Sequence, residues 1–232
     1  MEKWEARARK LLEAQHYFKK SKMKTLFVSC VGSHMWGMES EESDVDLVEI
    51  YMASTRAILR GETVPSTIGQ QMAAVEGVIY DIQGWEIGHL INLLIKGNVN
   101  AIWCSSSPLV IQPSPAQEGL KTLVGANLCR ETYHSIKGMA ESQIEYGQKK
   151  ERIAGKGYRT ALRTLNFGIE LLSRGRLCFE PVRHIPEPEK VIEAMRQLSW
   201  AYEESPLPDL PDEDIFREFL FGLRLEEIAQ EL

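Results

Sequence analysis

The chain is short of everything that marks a disulfide-stapled, zinc-binding or membrane-spanning protein. Its 232 residues contain four cysteines, Cys30, Cys104, Cys129 and Cys178. These lie far apart, with no CxxC pair and no histidine at zinc spacing, so neither a disulfide framework nor a zinc knuckle is expected. Long hydrophobic runs are missing as well. No stretch approaches the ~18 apolar residues of a membrane span, and the opening MEKWEARARKLLEAQ is charged throughout and lacks an apolar signal core. The expectation is a soluble, cytoplasmic protein with reduced thiols and no membrane partner. Nor is there an excess of positive charge. A formal charge of -6 and a pI near 5.5 argue against a broad electrostatic footprint on nucleic acid, although an acidic total is compatible with a local basic patch. Internal repeats and low-complexity tracts are absent.

What is present is a globular composition, 44% apolar and 26% charged, long enough to bury a proper core. Residues 3–19 place Trp4, Ala8, Leu11, Leu12 and Phe18 on one helical stripe. TLFVSCV (25–31) reads as a buried strand that stops at Gly32. VDLVEIYMA (45–53) reads as a second strand and VEGVIYDI (75–82) as a third, separated by a polar loop containing Gly61, Pro65 and Gly69. From Glu86 to Lys96, Ile87, Leu90, Ile91, Leu94 and Ile95 define an amphipathic helix, stopped by Gly97-Asn98. The Pro-Ser break at 105–115 is the expected boundary, and beyond it only helical patterns follow, near 116–126, 129–152, 157–174, 187–200 and 212–231. The predicted fold is α/β (α+β): a small mixed sheet over residues 1–112, then an all-helical domain over 113–232, with the site between them.

The informative stretch is VGSHMWGMESEESDVDL, residues 31–47. Strand side chains alternate with period two, so Asp44 and Asp46 share a face while Glu49 points away. Two such carboxylates can each turn an oxygen toward one divalent ion, with Asp81 on a neighbouring strand as a third. Glycine lets a backbone approach a ligand closely, and a serine hydroxyl beside a helix start donates to phosphate, so Gly32 and Ser33 suit nucleotide phosphates. Gly37 permits a close turn, and Ser43 orients the strand that carries Asp44. In the helical half, GKGYRTALRTL sets Lys156, Arg159 and Arg163 on one helix face at i, i+3 and i+7, a second set of candidate phosphate ligands. These three read equally as a solvated helix face pairing with Glu151 or Glu170. Glu39, Glu41 and Glu42 read as a solvated loop, His89 as structural, Trp36, Trp85 and Trp103 as core or rim aromatics, and Cys30 as a buried thiol.

Apolar-Gly-Ser, ten residues, then Asp-apolar-Asp-apolar resembles the signature of the DNA polymerase β-like nucleotidyltransferase superfamily. GSHMWGMESEESDVDL followed by YDIQGWEIGHLINLLIKGNVNAIW is similar, more narrowly, to the branch of predicted nucleotidyltransferases associated with RNA repair. The resemblance implies Asp44, Asp46 and Asp81 as catalytic metal-binding carboxylates, Mg²⁺ or Mn²⁺ as cofactor, and Gly32 and Ser33 on the phosphates of a nucleoside triphosphate such as ATP. It implies transfer of a nucleoside monophosphate to an acceptor hydroxyl, on RNA or on a protein as in AMPylation, with pyrophosphate released. A non-catalytic nucleotide sensor or antitoxin-like module is the alternative.

Overall fold

In a computed structural model of the chain, residues 23–40, 43–75, 78–149 and 154–230 are described. The helix expected over 3–19, together with Glu41, Glu42 and Glu151, lies outside them. Five strands form one mixed sheet: β1 (Met23–Cys30), β2 (Val45–Ala53), β3 (Thr67–Val75), β4 (Val78–Glu86) and β5 (Val110–Gln112), in the order β3-β4-β2-β1-β5. Only β2 and β4 run parallel; the other pairs are antiparallel. The described helices are α1 (Gly32–Met35), α2 (Thr55–Leu59), α3 (Ile87–Ile95), α4 (Val99–Ser106), α5 (Pro115–Ala126), α6 (Thr132–Lys149), α7 (Ala154–Arg174), α8 (Pro188–Glu203) and α9 (Glu213–Gln230). None of them is long and apolar enough to cross a membrane.

Period-two alternation gives the sheet two different faces. Phe27, Val48, Ile50 and Met52 pack into the main core together with Ile87, Leu90, Ile136, Leu165 and Leu198 from the helices. Val28, Cys30, Val45, Leu47, Tyr80 and Ile82 form a separate cluster on the opposite side. The site residues of β2 and β4 therefore stand on the helix-covered side.

The structure departs from the sequence pattern in four places. The supposed loop before residue 75 contains an edge strand, β3, which pairs with β4 so that the single strand expected over 75–82 is half of a hairpin. Its sequence TIGQQMAAV has few β-branched residues, and only pairing with β4 makes it a strand. The Pro-Ser break contains β5, a three-residue edge strand. Helix α4 has no mark in the sequence because it is buried on nearly every side, from Val99 to Ser106, which erases the amphipathic stripe that betrays a surface helix. Its start is fixed by Asn98, whose side chain accepts from the Ala101 amide at 3.1 Å. Helix α2, also unmarked in the sequence, is only five residues long, less than two full turns.

On the far side of the sheet from Asp46, Glu49 accepts a hydrogen bond from the Thr25 hydroxyl and is only 2% exposed. Burial pushes its carboxyl up from 4.5 to about 7, against the opposing effect of that hydrogen bond. Because the folded value lies above the unfolded one, the folded state holds a proton that the unfolded state has lost, and stability declines as pH rises through this window. Glu49→Gln, which cannot ionise, is expected to match wild type below about pH 4.5 and to exceed it by about 3 kcal/mol above about pH 7. Denaturant titrations of both proteins across that range check it; a pH-independent difference would refute it.

Candidate active site

Val31 follows directly on β1, and its amide donates to the Asp46 carbonyl at 2.9 Å, which ties the following turn to β2. Gly32 then takes φ +63°, a left-handed conformation that side chains disfavour. A second constraint is stronger. A Cβ built on Gly32 would lie 1.8 Å from Asp46 Oδ2, so the turn is pressed directly against that carboxylate. Ser33 follows within α1, and its carbonyl accepts from the Trp36 and Met38 amides at 3.2 and 3.0 Å, closing the turn. Gly37 has φ +60°, as the close turn requires. Further along, the Ser43 hydroxyl accepts from the Ser40 amide at 2.9 Å, shaping the approach to Asp44.

The parallel register of β2 and β4 sets Asp46 directly opposite Asp81. Asp44 is exposed, one residue before β2, while Asp46 and Asp81 are half-buried. Burial, then the charges of Asp81 and Asp44, push the Asp46 carboxyl up from 3.8 to about 6; Lys156 and Arg163 pull in the other direction. Sequence-distant groups of both signs thus share one electrostatic neighbourhood. His34, beside the turn, is held below its ordinary value by burial, against the opposing influence of Glu39 and a backbone hydrogen bond at Ser43.

Helix α7 supplies the basic side chains. Near its start Gly157 meets α6 so closely that a Cβ would stand 2.6 Å from the Gln143 carbonyl and 2.9 Å from the Gly147 Cα. Lys156 is exposed and Arg159 half-buried, but Arg163 is only 8% exposed. Its guanidinium carbon sits 4.9 Å from the centre of the Trp36 ring, a cation-π contact that offsets part of the desolvation. Burial, then the nearby Arg159 charge, lower its value to about 10, against the opposing charge of Asp46. Arg163 is thus no solvated face residue, and Glu170 pairs with Arg174 instead, at 3.2 Å.

Trp36 is the anchor between the two halves. It packs edge-on to Trp103 at 5.4 Å and to Phe167 at 5.8 Å, so Trp36 and Trp103 are core aromatics, whereas Trp85 is half-buried at the rim beside His89. Between the sheet and the helices lies a cavity of about 320 Å³, lined by Gly32, Asp46 and Arg163 and also by Gln83, Asn100 and Gln143. No sequence motif marks these amides. Only Gln83 was within reach, two residues beyond Asp81 on the same strand face; the other two arrive on separate helices.

The donor set suits a hard divalent cation: carboxylate oxygens, with Asp81 and Asp44 near enough to raise the proton affinity of Asp46. Among the described residues, no three His, Cys, Asp or Glu groups converge to hold an ion. The closest association is Asp46 with Asp81, and Asp44 stands at its outer edge.

A mixed sheet with adjacent strand carboxylates, a glycine-serine turn against them and a helical layer opposite is a polymerase β-like nucleotidyltransferase architecture. The chain belongs to the RNA repair pathway DNA polymerase beta family, whose model matches residues 6–202. A crystal structure of a nucleotidyltransferase-like protein from Exiguobacterium sibiricum 255-15 is similar, with 15% identity and a TM-score of 0.39, over 98% of this chain and 75% of that one. No curated protein matches the chain.

The close approach of the turn and the crowding of the carboxylates each have a measurable consequence. Gly32→Ala combines a disfavoured backbone with a methyl group driven into Asp46, and is expected to cost at least about 1–2 kcal/mol from the backbone alone. A variant as stable as wild type in thermal melts would contradict the close approach. Asp46→Asn removes a carboxylate whose folded value is raised to about 6; in chelator it is expected to be more stable than wild type above that pH, with the advantage vanishing below the unfolded value of 3.8. A destabilised variant at neutral pH would show that charge crowding does not govern this position.

Proposed function

We propose that the protein transfers a nucleoside monophosphate from a nucleoside triphosphate to an acceptor hydroxyl, on RNA or protein, in a metal-dependent reaction. The observation that carries this reading is Asp46 pressed between Gly32 and Asp81, facing the cations of α7. On this reading residues 1–112 act as the nucleotidyltransferase domain and 113–232 as the helical domain that closes the site. Gly32 lets the turn close against Asp46, and the Ser33 hydroxyl donates to a phosphate oxygen. Lys156, Arg159 and Arg163 neutralise triphosphate charge, Lys as a point charge and the arginines through forked hydrogen bonds. Mg²⁺ or Mn²⁺ held by Asp44, Asp46 and Asp81 supplies, when bound, positive charge at the transferring phosphoryl group.

The reaction forms a bond between the acceptor oxygen and the α-phosphorus and breaks the bond to the bridging oxygen, whose electron pair leaves with pyrophosphate. Asp81 receives the acceptor's proton, and Arg163, fixed on Trp36, needs little reorganisation as charge shifts onto the leaving group. A second reading, a nucleotide-binding sensor or antitoxin-like module, draws on the lack of a converged three-ligand group among the described residues.

Asp81→Asn separates the two. Turnover predicts nucleotide affinity within a few-fold of wild type and transfer reduced by at least ~10²-fold, the scale of a lost proton acceptor. The measurement pairs nucleotide titration with pyrophosphate release in Mg²⁺ or Mn²⁺, using RNA and protein acceptors. Unchanged release in the variant removes Asp81 from the chemistry, and no release from wild type with any acceptor favours the sensor.

A further inference from the structure

The cavity lining carries two kinds of polar group, charged side chains and primary amides. Among its described lining residues only Asp46 and Arg163 are charged, and the proposed function assigns both to the metal and the phosphates. Moving along β4 from Asp81, each second residue keeps the same face and advances roughly 6.5–7 Å. Gln83 and then Trp85 extend the cavity floor, opposite Val48 and Ile50 in the parallel register. Asn100 and Trp103 contribute from α4, one turn apart, and Met139 and Gln143 from α6, also one turn apart. Besides the two charged residues, the lining thus includes three primary amides and the large apolar side chains Trp85, Trp103 and Met139.

No side-chain hydrogen bond among the described residues engages Gln83, Asn100 or Gln143. Each amide offers donors and an acceptor together. Phosphate presents only acceptors at neutral pH, and the proposed function already assigns it to the cations of α7. An uncharged ring with neighbouring donor and acceptor, flat enough to lie against Trp85 and Met139, matches what these residues present. Asn and Gln pair in two-point fashion with the donor and acceptor edge of adenine, whereas guanine is met by Arg or Lys and the cytosine amino group by a carboxylate. Of the two charged lining residues, Asp46 and Arg163, the proposed function commits both to the metal and the phosphates, which leaves the amides for the base.

We propose that Gln83, Asn100 and Gln143 form the base-reading wall of the site and favour adenine, so that ATP is the preferred nucleotide; this rests on the triphosphate reading above. The test is titration of the full chain, with Mg²⁺, against ATP, GTP, CTP, UTP and tripolyphosphate. It is repeated on Gln83→Leu, Gln143→Met and the exposed-site variant Asn100→Ala, each checked for an unchanged melt. Wild type should bind ATP at least about tenfold more tightly than GTP, the scale of one good two-point contact. The amide variants should bring the two within about threefold while leaving tripolyphosphate affinity unchanged. If tripolyphosphate and all four nucleotides bind wild type with no preference, the base wall is wrong and the triphosphate reading stands. Folded variants that retain the full ATP preference would refute the base wall as well. If wild type binds neither tripolyphosphate nor any nucleotide, both are overturned.

Discussion

The site depends on the crowding of Asp46. Its carboxylate is half-buried, lies where a Cβ on Gly32 would stand, and sits opposite a second carboxylate on the next strand. Charge in such a place is costly, and burial with the neighbouring acids raises its value to about 6. Positive charge nearby favours the ionised form of such a carboxyl. Lys156 and Arg163 approach from the helical side, so the helical half completes the electrostatics of the sheet rather than merely covering it.

Packing makes that approach durable. Trp36, which closes the turn begun by Gly32 and Ser33, inserts into the same aromatic cluster as Trp103 and Phe167, and Arg163 rests on its ring. A shift of the turn would therefore disturb α7, and the reverse. At the other end of the sheet, α9 is held by Arg224, which donates to the Ala53 carbonyl at 2.6 Å and pairs with Glu86 at 2.5 Å. Glu86 also accepts from the Gly88 amide at 2.6 Å, so one buried acid serves as both helix cap and ion-pair partner. Losing either member of such a pair leaves an uncompensated buried charge, which fixes this corner strongly.

Strands and helices with a one-sided apolar pattern were legible. Strand β2 occupies Val45–Ala53 as its alternation indicates, and α3 ends at the glycine turn expected of it. What escaped were elements whose identity is conferred by neighbours: β3 and β5 at the sheet edges, and α4, buried nearly all round. An edge strand of small and polar residues has no local signature, because its hydrogen bonds to the next strand supply most of its preference for extension.

The candidate site divides along the same line. Asp44, expected on the strand face of Asp46, stands one residue before β2. Sequence alone determined that Asp46 and Glu49 point to opposite faces of one strand, that a glycine-serine turn precedes it, and that Lys156, Arg159 and Arg163 lie on one helical stripe. Those relations follow from the local repeats of strand and helix, set by backbone geometry within a few residues. Only the tertiary structure decided that Asp81 stands in register with Asp46, that the basic stripe turns toward it, that Arg163 is buried on Trp36, and that Gln83, Asn100 and Gln143 line the same cavity as the carboxylate. Strand register and helix docking are chosen by the burial of side chains far apart in the chain, and no local period carries that information.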